Sequence, residues 1–339
     1  MKRTTTLSLV GLLASAATLA AVTGPAQAAP RPAADRPGVH HSTGADTHAE
    51  QDAVRAFWTK ARMKAAQPRD VIRPNARPGG GGGPKGGGST TSSLGSEWTA
   101  GRVTVGKVFF QMGSSTYVCS GNAVDDVQDG KATPNLVVTA GHCVNDGGSA
   151  YATNFMFIPK YDPSKPRDAS QPLGTFVAAS LHTTSQWAAQ GADMYNFDVG
   201  IAKVGTNSAG QTLSQAVGTP SDIAFVGSSP SYAVNTHSFG YPQATPYDGT
   251  KLISCWGTTG PDTRGGTTDY RLPCNMTGGS SGGPWLLDAT AVDPANPIDN
   301  SDVSNVQISV NSFGYRGEKN AMYGPIFGST IQALYNSVS

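Results

Sequence analysis

The chain has 339 residues, a formal net charge of +1, 14% charged residues, 42 glycines and four cysteines. A balance this close to neutral, with no basic cluster in the second half, excludes the electrostatic footprint of a nucleic-acid-binding protein. Beyond the amino-terminal stretch nothing approaches the ~20 apolar residues that a membrane-spanning helix requires.

Residues 1–28 carry Lys2 and Arg3, an apolar run over 7–22, and Ala26-Gln27-Ala28. This is the pattern of a secretory signal peptide cut after Ala28, which makes the product extracellular and not membrane-anchored. Residues 29–93 are rich in Pro, Arg, Ala and Gly and hold the glycine-rich run 79–88, a flexible linker by composition. The segment 29–93 therefore reads as a largely disordered propeptide ahead of a body spanning 94–339. Within it, Val54, Phe57, Trp58, Ala61 and Ala65 fall at near-helical spacing, consistent either with a short amphipathic helix over 50–66 or with a disordered stalk of transient helicity. Residues 1–95 hold 12 Lys and Arg against 5 Asp and Glu, whereas 96–339 hold 12 against 18. A basic leader on an acidic body suits a propeptide that binds its own domain.

The body alternates short runs of β-formers with turn residues. Strand-like segments cover 106–112, 136–139, 155–158, 198–204, 231–241 and 304–312, and only 329–338 reads as a helix, with Ile331, Leu334 and Tyr335 on one face. Short strands without alternating long helices argue for an antiparallel all-β fold. Four cysteines in an exported chain imply two disulfides. Of the three possible pairings, Cys119 with Cys143 and Cys255 with Cys274 join neighbouring segments that also carry the chemistry below. No Cys-x-x-Cys spacing favours a zinc site, and neither metal nor cofactor is expected.

Three stretches carry candidate chemistry. In 138–143, VTAGHC, His142 follows an apolar strand and precedes a cysteine able to clamp the turn, as a general base held near a nucleophile requires. The other histidines of the body, His182 and His237, read as surface or satisfied core residues in less anchored surroundings. In 196–202, NFDVGIA, Asp198 opens an apolar strand, and a carboxylate there needs a partner such as an imidazole. In 277–284, TGGSSGGP, glycines on both sides of Ser281 let the main chain aim the N–H groups of Gly279 and Ser281 at a developing oxyanion. Alone, that stretch reads equally as a Gly/Ser linker. Chain order separates the hydrolase architectures. G-x-S-x-G also fits the nucleophile elbow of α/β-hydrolases, but those need a histidine after the serine, and none follows Ser281.

TAGHC at 139–143, the strand opened by Asp198 and GGSSGGP at 278–284 together resemble the three signature blocks of chymotrypsin-clan serine peptidases, over roughly 103–339. The nearest resemblance is to secreted bacterial glutamyl-endopeptidase-like members. It implies two antiparallel six-stranded β-barrels with the site between them, and hydrolysis of peptide bonds by a His142–Asp198–Ser281 triad in a monomeric enzyme acting on proteins or peptides. By the same resemblance Asn275, Met276, Asn311, Ser312, Phe313 and Gly314 contact substrate. Asn275 stands where trypsin-like members carry an acidic specificity residue, and Asn311 where glutamate-specific members carry a histidine, so neither basic nor glutamate specificity is implied at the cut. Ser280 replaces the aspartate of the animal activation switch. A catalytically silent binding protein on this scaffold, or a cell-wall protein with a glycine-rich stalk, are the alternatives from other classes. Loops 159–172 and 288–304 read as surface insertions. The second holds Asp288, Asp293, Asp299 and Asp302 without a recognised calcium-ligand spacing.

Overall fold

β-branched and aromatic residues alternate along the first half of the body so that successive side chains enter two different apolar clusters, as a strand buried on both faces requires. The computed structural model describes residues 39–74, 93–125, 127–128, 131–132, 135–165, 171–227, 230–288 and 303–339. The expected signal peptide, the glycine-rich linker, and Asp293, Asp299 and Asp302 lie outside the described residues.

The leader contributes β1 (Val39–Thr43), α1 (His48–Phe57), α2 (Lys60–Ala65), β2 (Gln67–Pro68) and β3 (Ile72–Arg73), followed by β4 (Ser93–Glu97). The first half of the body contains β5 (Val105–Met112), β6 (Ser115–Val124), the small hairpin β7 (Val127–Gln128) and β8 (Lys131–Ala132), β9 (Leu136–Thr139), β10 (Thr153–Pro159), β11 (Phe176–Thr184), α3 (Ser185–Ala188), β12 (Gly200–Val204) and α4 (Leu213–Val217). The second half contains β13 (Asp222–Ile223), β14 (Asn235–Gly240), β15 (Ile253–Thr258), β16 (Gly260–Pro261), β17 (Tyr270–Leu272), β18 (Pro284–Asp288), β19 (Val303–Val310), β20 (Gly314–Tyr315), β21 (Met322–Gly324) and the helix α5 (Ser329–Val338).

In the first half the strands run β11-β10-β5-β6-β9-β12, and β12 pairs back onto β11, closing a six-stranded antiparallel barrel. Val108, Phe110, Phe155 and Phe157 fill its interior cluster, while Phe109, Met156 and Ile158 face the opposite way. In the second half, where the resemblance implied another six-stranded barrel, the ladder is divided. One sheet has the order β13-β19-β18-β14-β15-β4, and a separate three-stranded sheet has the order β16-β17-β21. No single closed ladder is formed there among the described residues. The structure joins Cys119 to Cys143 (S–S 2.04 Å) and Cys255 to Cys274 (2.08 Å). No helix among the described residues is long and apolar enough to cross a membrane.

The expectation of a largely disordered leader fails for residues 39–74. The outward-facing residues Phe109, Val118, Met156, Ile158 and Val177 form an apolar belt on the barrel, and the leader covers it with Ala45, Trp58, Met63 and Ala66. Thr47 and Glu50 form a capping box at the start of α1, and Thr59 caps α2. Between the helices Trp58 is fully buried, and its Nε1 donates to the Asn154 carbonyl at 2.6 Å. The apolar spacing therefore reports two helices broken at Trp58, because that ring turns in to the barrel instead of continuing the helical face. Trp58→Ala is expected to weaken leader docking by about 3–5 kcal/mol, measured as faster amide hydrogen exchange across 39–74 at constant exchange in the barrel interior.

Candidate active site

Strand register brings the first two candidate residues together. β9 and β12 are antiparallel neighbours with Thr139 opposite Gly200, so the chain leaving β9 and the chain entering β12 meet at one rim of the barrel. His142 lies on the short 3-10 turn Gly141–Cys143, and Asp198 closes another, Met194–Phe197. Both are buried. His142 Nδ1 is 2.8 Å from Asp198 Oδ2, and the backbone N–H of His142 donates to Asp198 Oδ1 at 2.7 Å. A third donor was not foreseen: the Ser312 hydroxyl reaches Asp198 Oδ2 at 2.5 Å. Three donors satisfy a carboxylate that would otherwise be costly to bury.

The Cys119–Cys143 bridge ties the His142 turn to β6, and β6 ties it to the serine loop. Ser120 N–H donates to the Ser281 carbonyl (2.7 Å), and the Ser120 hydroxyl donates to the Gly279 carbonyl (2.9 Å). Cys119, His142 and Cys143 crowd together as metal ligands would, but both sulfurs are spent in the disulfide and offer no thiolate.

The serine loop turns through Gly279 (φ +99°) and Gly282 (φ +80°), in the left-handed region that favours glycine. The Gly278 carbonyl accepts from the N–H groups of Gln243 (2.6 Å) and Ala244 (3.0 Å), which forces the Gly279 N–H of the same trans peptide to point the other way. Likewise the Ser280 carbonyl accepts from Gly283 N–H (2.9 Å) and Asn311 Nδ2 (3.0 Å), which turns the Ser281 N–H outward from those partners. Of the described residues, none accepts from either N–H. Such an arrangement can receive an oxyanion.

Asn311 is placed differently from the expectation of substrate contact. It is fully buried beneath the serine loop. Its Oδ1 accepts from Ser238 Oγ (2.6 Å) and Trp285 Nε1 (2.7 Å), and its Nδ2 donates to the carbonyls of Phe239 (2.9 Å) and Ser280 (3.0 Å). With all four amide bonds used internally it is a strut and not a pocket residue. Asn311→Ala would strand the Ser238 hydroxyl and the Trp285 indole N–H and take a donor from the carbonyls of Phe239 and Ser280, and it is expected to cost at least about 3 kcal/mol, read as a lowered denaturant midpoint. Asn275, Met276, Ser312, Phe313 and Gly314 do line a cleft of about 610 Å³ that also includes Gly278, Ser280 and Ser281. Asn275 Oδ1 accepts from Gly95 N–H and the Tyr247 hydroxyl, both at 2.8 Å, so that atom braces β4.

The remaining histidines are occupied. His237 Nε2 meets Asp288 Oδ2 at 3.0 Å in the core, and His182 lies on β11, not in a loop, with Nε2 at 2.8 Å from Ser180 Oγ. Burial, reinforced by His41 and Lys203, pulls the His182 pKa down to about 4.

The leader enters the cleft. β2 pairs with β6 and β3 with β20, both in parallel. Arg69 N–H donates to the Val118 carbonyl (3.1 Å), and Arg69 Nε donates to the His142 carbonyl (2.8 Å). Ser281 Oγ donates to the Arg69 carbonyl at 3.2 Å, while the buried Nε2 of His142 has no hydrogen-bond partner among the described residues. The Asp70 carboxylate occupies the space that a Cβ on Gly278 would need. Desolvation raises its pKa, against a smaller opposing effect of His142.

Near this contact lies a buried amine, Lys107, whose Nζ donates to Gln243 Oε1 (2.7 Å) and the Gly249 carbonyl (3.0 Å). The Gln243 amide in turn donates to the Ala66 carbonyl of the leader at 2.7 Å. Burial pulls the Lys107 pKa down to about 7, opposed more weakly by Asp248. The unfolded chain keeps this proton up to the ordinary lysine value, whereas the folded chain loses it near 7. The unfolded state thus binds more protons between those values, and stability rises with pH across that window. In Lys107→Met the rise in melting temperature from pH 7 to pH 10 is expected to flatten.

No protein-family model and no curated protein sequence matches this chain. Among solved structures, the protease Anisep from Arthrobacter nicotinovorans is similar at 38% identity and a TM-score of 0.58, over 72% of this chain and 98% of that one. The thermostable serine protease AL20 from an extremophilic microorganism is similar at 38% identity and a TM-score of 0.57, over 70% and 97%. A Glu endopeptidase shares the fold, with a TM-score of 0.51 at 17% identity over 73% and 96%. Identity at this level across nearly the whole of two proteases, on the barrel and site geometry above, makes this chain a member of the trypsin-like, chymotrypsin-clan serine peptidases.

Proposed function

We propose that the chain is a secreted serine endopeptidase, made as a latent precursor, that cuts peptide bonds through an acyl-enzyme formed on Ser281. The observation that carries the reading is the buried His142–Asp198 pair, held at 2.8 Å beside the Ser281 loop. His142 Nε2 takes the proton of the Ser281 hydroxyl as Oγ bonds to the scissile carbonyl carbon. The N–H groups of Gly279 and Ser281 receive the oxyanion. As the C–N bond breaks, His142 returns the proton to the leaving amine, and water then hydrolyses the ester by the same route. Asp198 fixes the ring through Nδ1 and is itself fixed by Ser312.

Latency is supported by the diverted serine. With its hydroxyl donating to the Arg69 carbonyl, Ser281 is not aligned to pass its proton to His142 Nε2. Removal of the leader frees both groups. Two disulfides and the likeness to bacterial proteases support an extracellular site of action.

The test is to treat secreted protein and full-length chain with a fluorophosphonate, then sequence their amino termini. The secreted form should begin beyond residue 74 and carry one phosphonyl group, on Ser281. Modification absent, or located on another serine, would rule out the assignment.

A further inference from the structure

Arg73, at the end of the leader segment in the cleft, is seated among three rings. Its guanidinium carbon lies 4.2 Å from the Tyr195 ring centroid, 4.9 Å from that of Phe313 and 5.4 Å from that of Tyr315. Its Nη1 also donates to the Tyr315 hydroxyl at 3.2 Å, and that hydroxyl donates onward to Asp262 Oδ2 at 2.7 Å. Asp269 lies near the same cage. It is fully buried, and neither of its carboxylate oxygens has a hydrogen-bond partner among the described residues. An ionised carboxylate in that position needs a counter-charge. Burial pushes its pKa well up, Asp262 and Asp198 push it further, and Arg73 pulls against them.

All five residues around Arg73 belong to the body, and the cage is continuous with the triad. Tyr195 lies three residues before Asp198, and Phe313 adjoins Ser312, whose hydroxyl is on Asp198. The leader backbone reaches the cage along β20, with Gly314 N–H donating to the Val71 carbonyl (3.2 Å) and Arg316 N–H to the Arg73 carbonyl (2.9 Å). When the leader departs, the rings, Asp262 and Asp269 remain, facing the strand against which a peptide would lie.

We propose that the cage of Tyr195, Phe313 and Tyr315, backed by Asp262 and Asp269, is a substrate subsite for an arginine or lysine side chain some residues before the cut, which Arg73 of the leader fills until maturation. This rests on the peptidase reading. Aromatic faces attract a cation through the ring quadrupole, more strongly when it is desolvated. The adjoining carboxylates add the charge complementarity that an apolar side chain cannot use. A neutral residue of the same shape, citrulline, keeps the contacts and loses the charge.

The test uses the active form released from the full-length chain and fluorescent hexapeptides that end in a carboxylate and so bind as products without being cut. Each carries arginine or citrulline at the second, third or fourth position from that end. At one position arginine should bind about fivefold or more tighter than citrulline, by fluorescence anisotropy. Asp269→Asn should collapse the difference, and because it keeps the side-chain shape and removes a carboxyl that burial disfavours in its ionised form, it should fold. Asp262→Asn supplies a second variant that should shrink the difference. Equal binding of the two peptides at every position, or a difference undiminished in both variants, overturns the subsite. Cleavage of matching extended peptides is followed separately. Preferred binding without cleavage would count against the peptidase reading and leave the subsite standing.

Discussion

Ser281→Ala in the released form should lower the hydrolysis rate of a protein substrate by about five to six orders of magnitude, leaving only the ~10³–10⁴-fold advantage over water that binding and the oxyanion site confer. His142→Ala should fall by a similar amount, because nucleophile and base act as one unit and their losses do not add. Asp198→Asn should lose about 10⁴-fold through the wrong imidazole tautomer. Ser312→Ala distinguishes this site from a bare triad. Removing its hydrogen bond to Asp198 Oδ2 should lower kcat by about tenfold with little change in KM, since the hydroxyl touches the aspartate and not the substrate. Steady-state kinetics of the four variants measures the ranking, and full activity in Ser281→Ala would refute the mechanism.

The second large effect lies in the leader. A full-length chain kept uncleaved should show almost no hydrolysis. Replacing Arg69, Asp70 and Arg73 together with alanine should raise it by about tenfold or more by increasing the fraction of molecules with an open cleft. The side-chain contacts removed are Arg69 Nε on the His142 carbonyl, the Asp70 carboxylate on Gly278, and the Arg73 guanidinium in its aromatic cage. The triad is untouched, so any gain reports opening and not repair. A peptide spanning residues 67–73, added to the released form, should inhibit it, and the same peptide with the three alanines should not. Progress curves with a fluorogenic substrate read both arms. An uncleaved wild-type chain as active as the released form would refute latency.

Much of this was legible in the sequence because the informative residues fall in short contiguous blocks. VTAGHC, NFDVGIA and TGGSSGGP each span a strand end and its adjoining turn, so local order alone places His142 just after one strand and Asp198 and Ser281 just before two others. The strands over 106–112, 136–139 and 304–312 were visible through their β-branched and aromatic runs. β6 and β11 were not, since Gly121, Asn122, Ser180 and Thr183 weaken their apolar signal while long-range pairing holds them extended. Asn311 misled for a related reason. Its position along the chain matched a substrate-contacting residue, but only the fold shows that its amide turns inward to four partners. No local pattern could reveal that Ser312 reaches Asp198, 114 residues away. The leader was misread through composition: its Pro, Arg and Ala content suggests disorder, and the apolar belt that orders it belongs to the barrel.

β1 gives the leader a role beyond filling the cleft. Five of its residues, Val39 to Thr43, pair with β11 from Thr184 back to Ser180, alongside the barrel's own β11–β12 ladder. Were the leader removed as proposed, that flank of β11 would become a bare sheet edge, and Phe109, Met156, Ile158 and Val177 would be uncovered next to it. An unpaired edge beside an apolar belt is a template for another chain. On the proposed latency, activation and colloidal risk would be coupled through one segment, with the protein best protected against clumping while it is still unable to cut.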